Sequence, residues 1–222
     1  MSHWSAPTRR LPARLAVPAT LVAVLLVAVL TACGAPSYQF MASDTDDLAL
    51  KMPRSWNLVN SGVPPTSDGT PAETGNWFAV YDAADHPSMD HVTAVHASAP
   101  VAVIRTLVVT KEQGRSVTDD TLKDAWLPVS DKSRATAGVQ GFTGTNFHLL
   151  DDQKLDTGTA NGVHVVFSYD LGQGPEVFDQ IVLTDKNKTR VHLLLVHCSA
   201  SCYDTNRRAI TDSMGSFTVR RT

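Results

Sequence analysis

The sequence predicts an α+β fold in which an antiparallel β-sheet is covered by helices. Three observations carry that expectation. Strand-like alternation of apolar and polar residues dominates the C-terminal third. Helix signals precede and follow that region instead of separating successive strands, which argues against a βαβ series. Residues 191–196 are apolar on both faces of a strand, so the sheet needs a covering layer on each side.

The N-terminus stands apart from this domain. Arg9, Arg10 and Arg14 form a positive region, and no acidic residue precedes Asp44. An uncharged run from Leu15 to Ala32, interrupted by Pro18, leads into Leu30-Thr31-Ala32-Cys33. The run is barely long enough to span a bilayer, and the small residues Ala32 and Gly34 flank the cysteine, a pattern that favours cleavage. An ordinary secretory signal with an incidental cysteine, and an uncleaved signal anchor, are the competing readings. Arg9-Arg10 also invites a twin-arginine reading, but neither the expected Phe nor Lys follows the pair.

In this stretch the chain resembles bacterial lipoproteins, whose signal peptidase cuts before a cysteine that carries a diacylglyceryl thioether and often an N-acyl chain. The resemblance implies a signal peptide over residues 1–32, lipidation of Cys33 and a tether over 33–46, with the globular domain at 47–222. One acyl chain holds a protein only marginally, whereas two or three make release negligible. The expected location is the outer face of the cell membrane, anchored without spanning it.

Residues 1–32 contain three of the 19 basic residues and none of the 22 acidic ones, so the remainder carries a formal charge of −6. Such a balance excludes nucleic acid as an expected partner and argues against polybasic adhesion to anionic headgroups. With Cys33 consumed by lipid, Cys198 and Cys202 remain as an even pair in an oxidising setting. A disulfide is the expected reading, fixing the turn from a strand into the following helix; a Cys-x-x-x-Cys metal or redox site is the alternative.

Along the domain, Tyr38–Met41 and Leu48–Met52 read as strands, the second stopped by Pro53 and followed by Trp56. Ser61–Gly75, with three glycines and three prolines, reads as a loop. Trp77–Tyr81, Val92–Ala97 and Val101–Val109 are expected strands. A helix is expected next, capped by Ser116 or Thr118, with Leu122, Ala125 and Trp126 on one face and Pro128 at its end. Asp131–Gly141 reads as a polar connection, Thr145–Leu149 as a short strand, and Asp151–Gly162 as a turn. Val163–Asp170, Val177–Thr184 and Val191–Val196 are the clearest strands, with a hairpin turn at Asp185–Lys188. Asp204 is the expected cap of a last helix carrying Ile210 and Met214, before a strand at Phe217–Arg220.

The apolar strand running into a Pro-x-x-Trp corner (Leu48 to Met52, Pro53, Trp56), two central hairpins and a closing helix with Ser216-Phe217 resemble the PsbP-like superfamily. That superfamily includes the photosystem II subunit PsbP, a nuclear-transport factor that binds the GTPase Ran, and actinobacterial LpqN-type lipoproteins. The resemblance runs from about Tyr38 to the C-terminus and implies an α/β/α sandwich acting by binding or assembly, without catalysis or cofactor. The Cys198–Cys202 pair does not map onto the superfamily as a whole.

Histidines are the next candidates for chemistry. His86, His91 and His96 recur every five residues, which on a strand places neighbours on opposite faces, as it does for His192 and His197. A metal site through His86, Asp90 and His91 is weaker than ordinary surface histidines, and no metal is expected. No Gly-x-Ser-x-Gly, His-Glu-x-x-His or phosphate-binding glycine loop occurs. Trp56, Trp77 and Trp126 are expected in the core, the alternative being that they line a ligand groove. Arg207, Arg208, Arg220 and Arg221 are expected to be solvated, the alternative being a small anion-binding patch. The functional expectation is a lipid-anchored binding or scaffolding protein with a protein partner, the alternatives being a carrier of an apolar small molecule or lipid, and a cell-wall enzyme.

Overall fold

A computed structural model describes residues 37–43, 48–63 and 75–220. The expected signal peptide, Cys33, most of the tether, the loop at 64–74 and Arg221 lie outside the described residues. Residues 37–222 form one compact unit.

Ten strands and five short-to-medium helices are present among the described residues. In chain order they are β1 (Tyr38–Ser43), β2 (Leu48–Pro53), β3 (Asn57–Gly62), β4 (Trp77–Asp82), α1 (Met89–Val92), β5 (Val101–Val108), α2 (Lys111–Ser116) and α3 (Asp119–Lys123). They continue with α4 (Asp131–Ala137), β6 (Thr145–Asp156), β7 (Ala160–Asp170), β8 (Pro175–Asp185), β9 (Arg190–Ser199), α5 (Ala200–Met214) and β10 (Thr218–Val219). A seven-stranded sheet has the order β3-β4-β5-β9-β8-β7-β6, and a three-stranded sheet has the order β1-β2-β10. All pairs are antiparallel.

The two-faced strand occupies the centre of the large sheet. Leu193, Leu194, Leu195 and Val196 are all buried. One face of the sheet is covered by α5, which packs on β2, β8 and β9, together with the small sheet, where the Tyr81 hydroxyl on β4 donates to Met41 Sδ on β1 (3.3 Å). On the opposite face α1 packs on β4, α3 packs on β7 and β8, and Arg134 of α4 lies over the Phe147 ring of β6. Buried Gln180 on β8 donates its amide to the carbonyls of Leu122 and Lys123 (3.2 and 2.9 Å), satisfying the C-terminal end of α3 that its own short length leaves open.

The corner between β9 and α5 is held twice. Ser199 caps the helix, its hydroxyl accepting from Cys202 N (3.3 Å), and Cys198 is bonded to Cys202 with Cα atoms 5.9 Å apart. By chain entropy a ring this short contributes about 2 kcal/mol, so its main effect is on the angle between strand and helix.

Several elements differ from the sequence expectation. Residues 92–97 are not a strand: buried Asp82 gathers Ala84 N, Ser88 N and His91 Nδ1 (2.8, 3.0 and 2.9 Å), winding the segment into α1 and a turn. The polar stretch 131–141 contains α4, capped by Ser130. The helix α2 precedes α3, each closed by its own capping box. Strand β6 runs on through the expected turn to Asp156, because an edge strand tolerates polar side chains. Asp204 does not cap α5; it lies inside the helix and pairs with Arg207. Strand β3 was not anticipated, since only Leu58 and Val59 mark it as apolar.

Gly162 shows how tightly β7 and β8 approach. A Cβ there would sit 1.9 Å from the Val182 carbonyl oxygen, a backbone atom that cannot swing aside. Gly162→Ala is expected to lower stability by about 1–3 kcal/mol in denaturant titration, whereas Gly138→Ala, with open space around it, should be close to neutral.

Candidate functional site

A broad cleft lies on the α5 face, along the seam between α5 and the β6-β7-β8 side of the large sheet. It has a volume of about 650 Å³ and continues into a smaller chamber of about 290 Å³; His164, Asp179 and Thr211 line both. Leu150, Asp151 and Gln153 on the edge strand β6 form one rim, and Tyr203 and Arg207 on α5 form the other. The small chamber is apolar, with Ile181, Met214 and Phe217 in its wall.

A fixed polar network forms the floor of the cleft. Strand alternation puts His164 on β7 and Asp179 on β8 on the same face, and α5 lays Tyr203 across them. His164 Nε2 donates to Asp179 Oδ1 (2.7 Å), and the Tyr203 hydroxyl donates to Asp179 Oδ2 (2.7 Å). Both carboxylate oxygens of a nearly buried aspartate are thereby satisfied. Burial alone would lower the pKa of His164. The hydrogen bond and charge of Asp179, with the charge of Asp151, outweigh that effect and hold it above the ordinary value of 6.5. Burial, with the charge and hydrogen bond of Asp179, pushes Tyr203 up, so it stays a neutral donor. Arg207 lies over the Tyr203 ring, 5.5 Å from its centroid, and bonds Asp204 (2.6 Å).

A second cavity, of about 390 Å³, lies on the opposite face between the sheet and the helical layer. Val80, Val103 and Phe178 make its floor; Val92 to Val95 form one wall, and Trp126 with Leu127 the other. Both walls are pinned. Asp82 holds the α1 segment as described, and Asp124 Oδ1 accepts from Val129 N and Ser130 N (2.8 and 2.7 Å), while the Tyr169 hydroxyl donates to the Pro128 carbonyl. His197 reaches the cavity edge, its Nδ1 donating to buried Glu176 Oε1 (2.9 Å). His96 Nδ1 lies 3.3 Å from Glu176 Oε2, without the alignment of a good hydrogen bond.

The residues singled out from sequence are distributed unevenly. Cys198 and Cys202 are bonded to one another. His86 and Asp90 are exposed while His91 turns to Asp82, and among the described residues no group of three or more His, Cys, Asp or Glu is placed to hold a metal. Trp56 is in the core and Trp77 packs against it, but Trp126 is 40% exposed and lines the second cavity, because Pro128 and the Asp124 bracket end the helix before it. His192 and His197 do fall on opposite faces, His192 near Thr106 and His197 near Glu176. His164, Asp179, Tyr203, Asp82 and Glu176 were not singled out. Parity along Val163–Tyr169 already sets His164 opposite the apolar set Val163, Val165, Phe167 and Tyr169, which is the signal that could have found it.

No protein-family model matches the chain, and no curated protein sequence does. Solved structures are similar to it. A cyanobacterial PsbP from Synechocystis sp. PCC 6803 superimposes with a TM-score of 0.51 at 11% identity, covering 84% of this chain and 95% of that one. The Ran-binding protein Mog1p of Saccharomyces cerevisiae gives 0.44 at 10% identity over 83% and 96%. LpqN, involved in cell envelope biogenesis of Mycobacterium tuberculosis, gives 0.36 at 14% identity over 85% and 87%. The cyanobacterial likeness supports a PsbP-like fold and extends no further than the fold.

The raised pKa of His164 has a consequence for stability. A group whose pKa is higher folded than unfolded contributes fully below its unfolded value and loses that contribution as pH rises through the folded value. Denaturation midpoints of the wild type and His164→Gln, compared from about pH 5 to about pH 9, should differ most below the ordinary 6.5 and converge above it. A gap that widens with pH would contradict the network.

Proposed function

We propose that this chain is an exported, lipid-anchored binding protein: cleaved before Cys33, acylated there, and presenting the cleft beside α5 to a protein partner at the outer membrane face. The observation that carries the binding reading is that cleft. Its floor groups are already hydrogen-bonded to one another in fixed positions, so a partner meets a preorganised surface and loses little to reordering. Its rim carries exposed Leu150 (58%) beside charged Asp151 and Arg207, the mixture of apolar anchor and polar border found at interfaces. What supports the anchor is the N-terminal sequence: three arginines, an uncharged run and a small-residue site ending at Cys33. No helix among the described residues is long and apolar enough to cross a membrane.

A second reading, carriage of an apolar small molecule, is favoured by the cavity beside Trp126. Its volume of about 390 Å³ falls within the usual range for small-molecule sites, and it sits between sheet and helical layer with a mostly apolar lining.

Two experiments test these readings. In cells, Cys33→Ala should move the folded protein from the membrane to the soluble fraction; unchanged partition would contradict the anchor. A photocrosslinker at Gln153, in full-length protein in its own membranes, should give one product near equal stoichiometry, absent when the group is moved to exposed Val139. Labelling from both positions alike would contradict a partner in the cleft. For the carrier reading, native mass spectrometry should show a bound apolar molecule that is lost in the cavity-filling Ala94→Phe variant.

A further inference from the structure

The outer face of the small sheet carries an exposure that neither proposed site uses. Along β1, Gln39 and Met41 point inward, Gln39 donating to the Trp56 carbonyl and Met41 accepting from Tyr81. Tyr38, Phe40 and Ala42 therefore point outward, and Phe40 is 84% exposed. Phe40 stands opposite Lys51 in the β1–β2 register. Lys51 Nζ lies 4.7 Å from the centroid of the Tyr38 ring. The Tyr38 hydroxyl donates to Asp212 (2.7 Å), and Arg208 is near enough to act on that phenol.

This hairpin carries basic and aromatic side chains at one end. That end holds Ser37, Tyr38, Pro53 and exposed Arg54, whose N donates to the Ser37 carbonyl (3.0 Å). From Cys33 to Ser37 the chain reaches at most about 14 Å. A lipid on Cys33 thus keeps the basic, aromatic end of the hairpin close to the bilayer.

Resting on the anchored reading above, we infer that the outer face of β1 and β2 lies against the bilayer, with Phe40 inserted at the headgroup–acyl boundary. Lys51, Arg54 and Arg208 face lipid phosphates. The aromatic ring suits that boundary, and long basic side chains extend their charges to the headgroups while their stems lie along apolar surface. The acyl chains supply the attachment; this face supplies the orientation, turning a domain that could tumble on its tether into one held on a defined side.

The test uses the full chain purified from membranes and reconstituted into vesicles of phosphatidylcholine with phosphatidylglycerol. Phe40→Cys carries an environment-sensitive dye, and Leu149→Cys on the edge strand β6 is the comparison; both parent side chains are exposed. If the protein pellets with vesicles, the dye at position 40 should be blue-shifted and quenched by lipid nitroxides on the order of two-fold more than at 149. Equal access of iodide to both positions, in protein that pellets, overturns the membrane face while leaving the anchor intact. Shielding at position 40 without lipid quenching also overturns it, and assigns the face to a second copy or another protein. Protein that fails to pellet overturns the anchored reading, and the inference with it.

Discussion

Strand β9 is the constraint from which the rest of the domain follows. Its run Leu193 to Val196 is buried on both faces, so neither side of the sheet can meet water. Each leucine removed from water on this scale stabilises the fold by about 1.5–3 kcal/mol, and only two covering layers achieve that for both faces at once. The chain meets the requirement asymmetrically. One long helix and a small second sheet close the first face, and short helices with pinned connections close the second.

Both cavities arise from how imperfectly those covers meet. A single helix cannot blanket a seven-stranded sheet, so the β6–β8 side of the α5 face remains open as the polar cleft. On the other face, short helices leave a gap where α1 and the Trp126 turn approach each other. Buried acids decide the shape of both openings. Asp179 ties two strands' worth of surface to α5, Asp82 fixes one wall of the apolar cavity, and Glu176 gathers His197 and Ala97 N beside it. Each is a buried carboxyl group that accepts hydrogen bonds from neighbouring elements or amides, the condition under which buried polar groups are tolerated. Asp179 and Glu176 have no local sequence signature, because their partners come from other elements, whereas Asp82 binds the segment that directly follows it.

The sheet was legible in the sequence where burial imposes a period. Strands β2, β4, β5, β7, β8 and β9 all alternate or run apolar, and the double burial of β9 was readable from Val191 to Val196 alone. The failures lie where tertiary contacts replace periodicity. The Ser-Arg-Ala-Thr run of α4 has little apolar content to betray a helix, and β6 past Asp151 is polar because an edge strand needs only one neighbour. Residues 92–97 look like a strand until Asp82 is known to collect Ala84 N, Ser88 N and His91 Nδ1, which winds the chain just before them into α1. Cys198 and Cys202 were legible as a pair because an even count in a chain read as exported leaves few options. The His164, Asp179 and Tyr203 network was half legible: strand parity gives the face, but nothing in one sequence says that α5 lays a tyrosine across it.

The proposed function turns on Cys33, since an anchor there would decide where the cleft is displayed and which face turns to the lipid. Intact-mass measurement of the protein extracted from its own membranes addresses this most directly. The account predicts a chain beginning at Cys33 and heavier than its sequence by a diacylglyceryl group, with or without a further acyl chain. A protein that retains residues 1–32, or one that begins elsewhere with an unmodified Cys33, would contradict it.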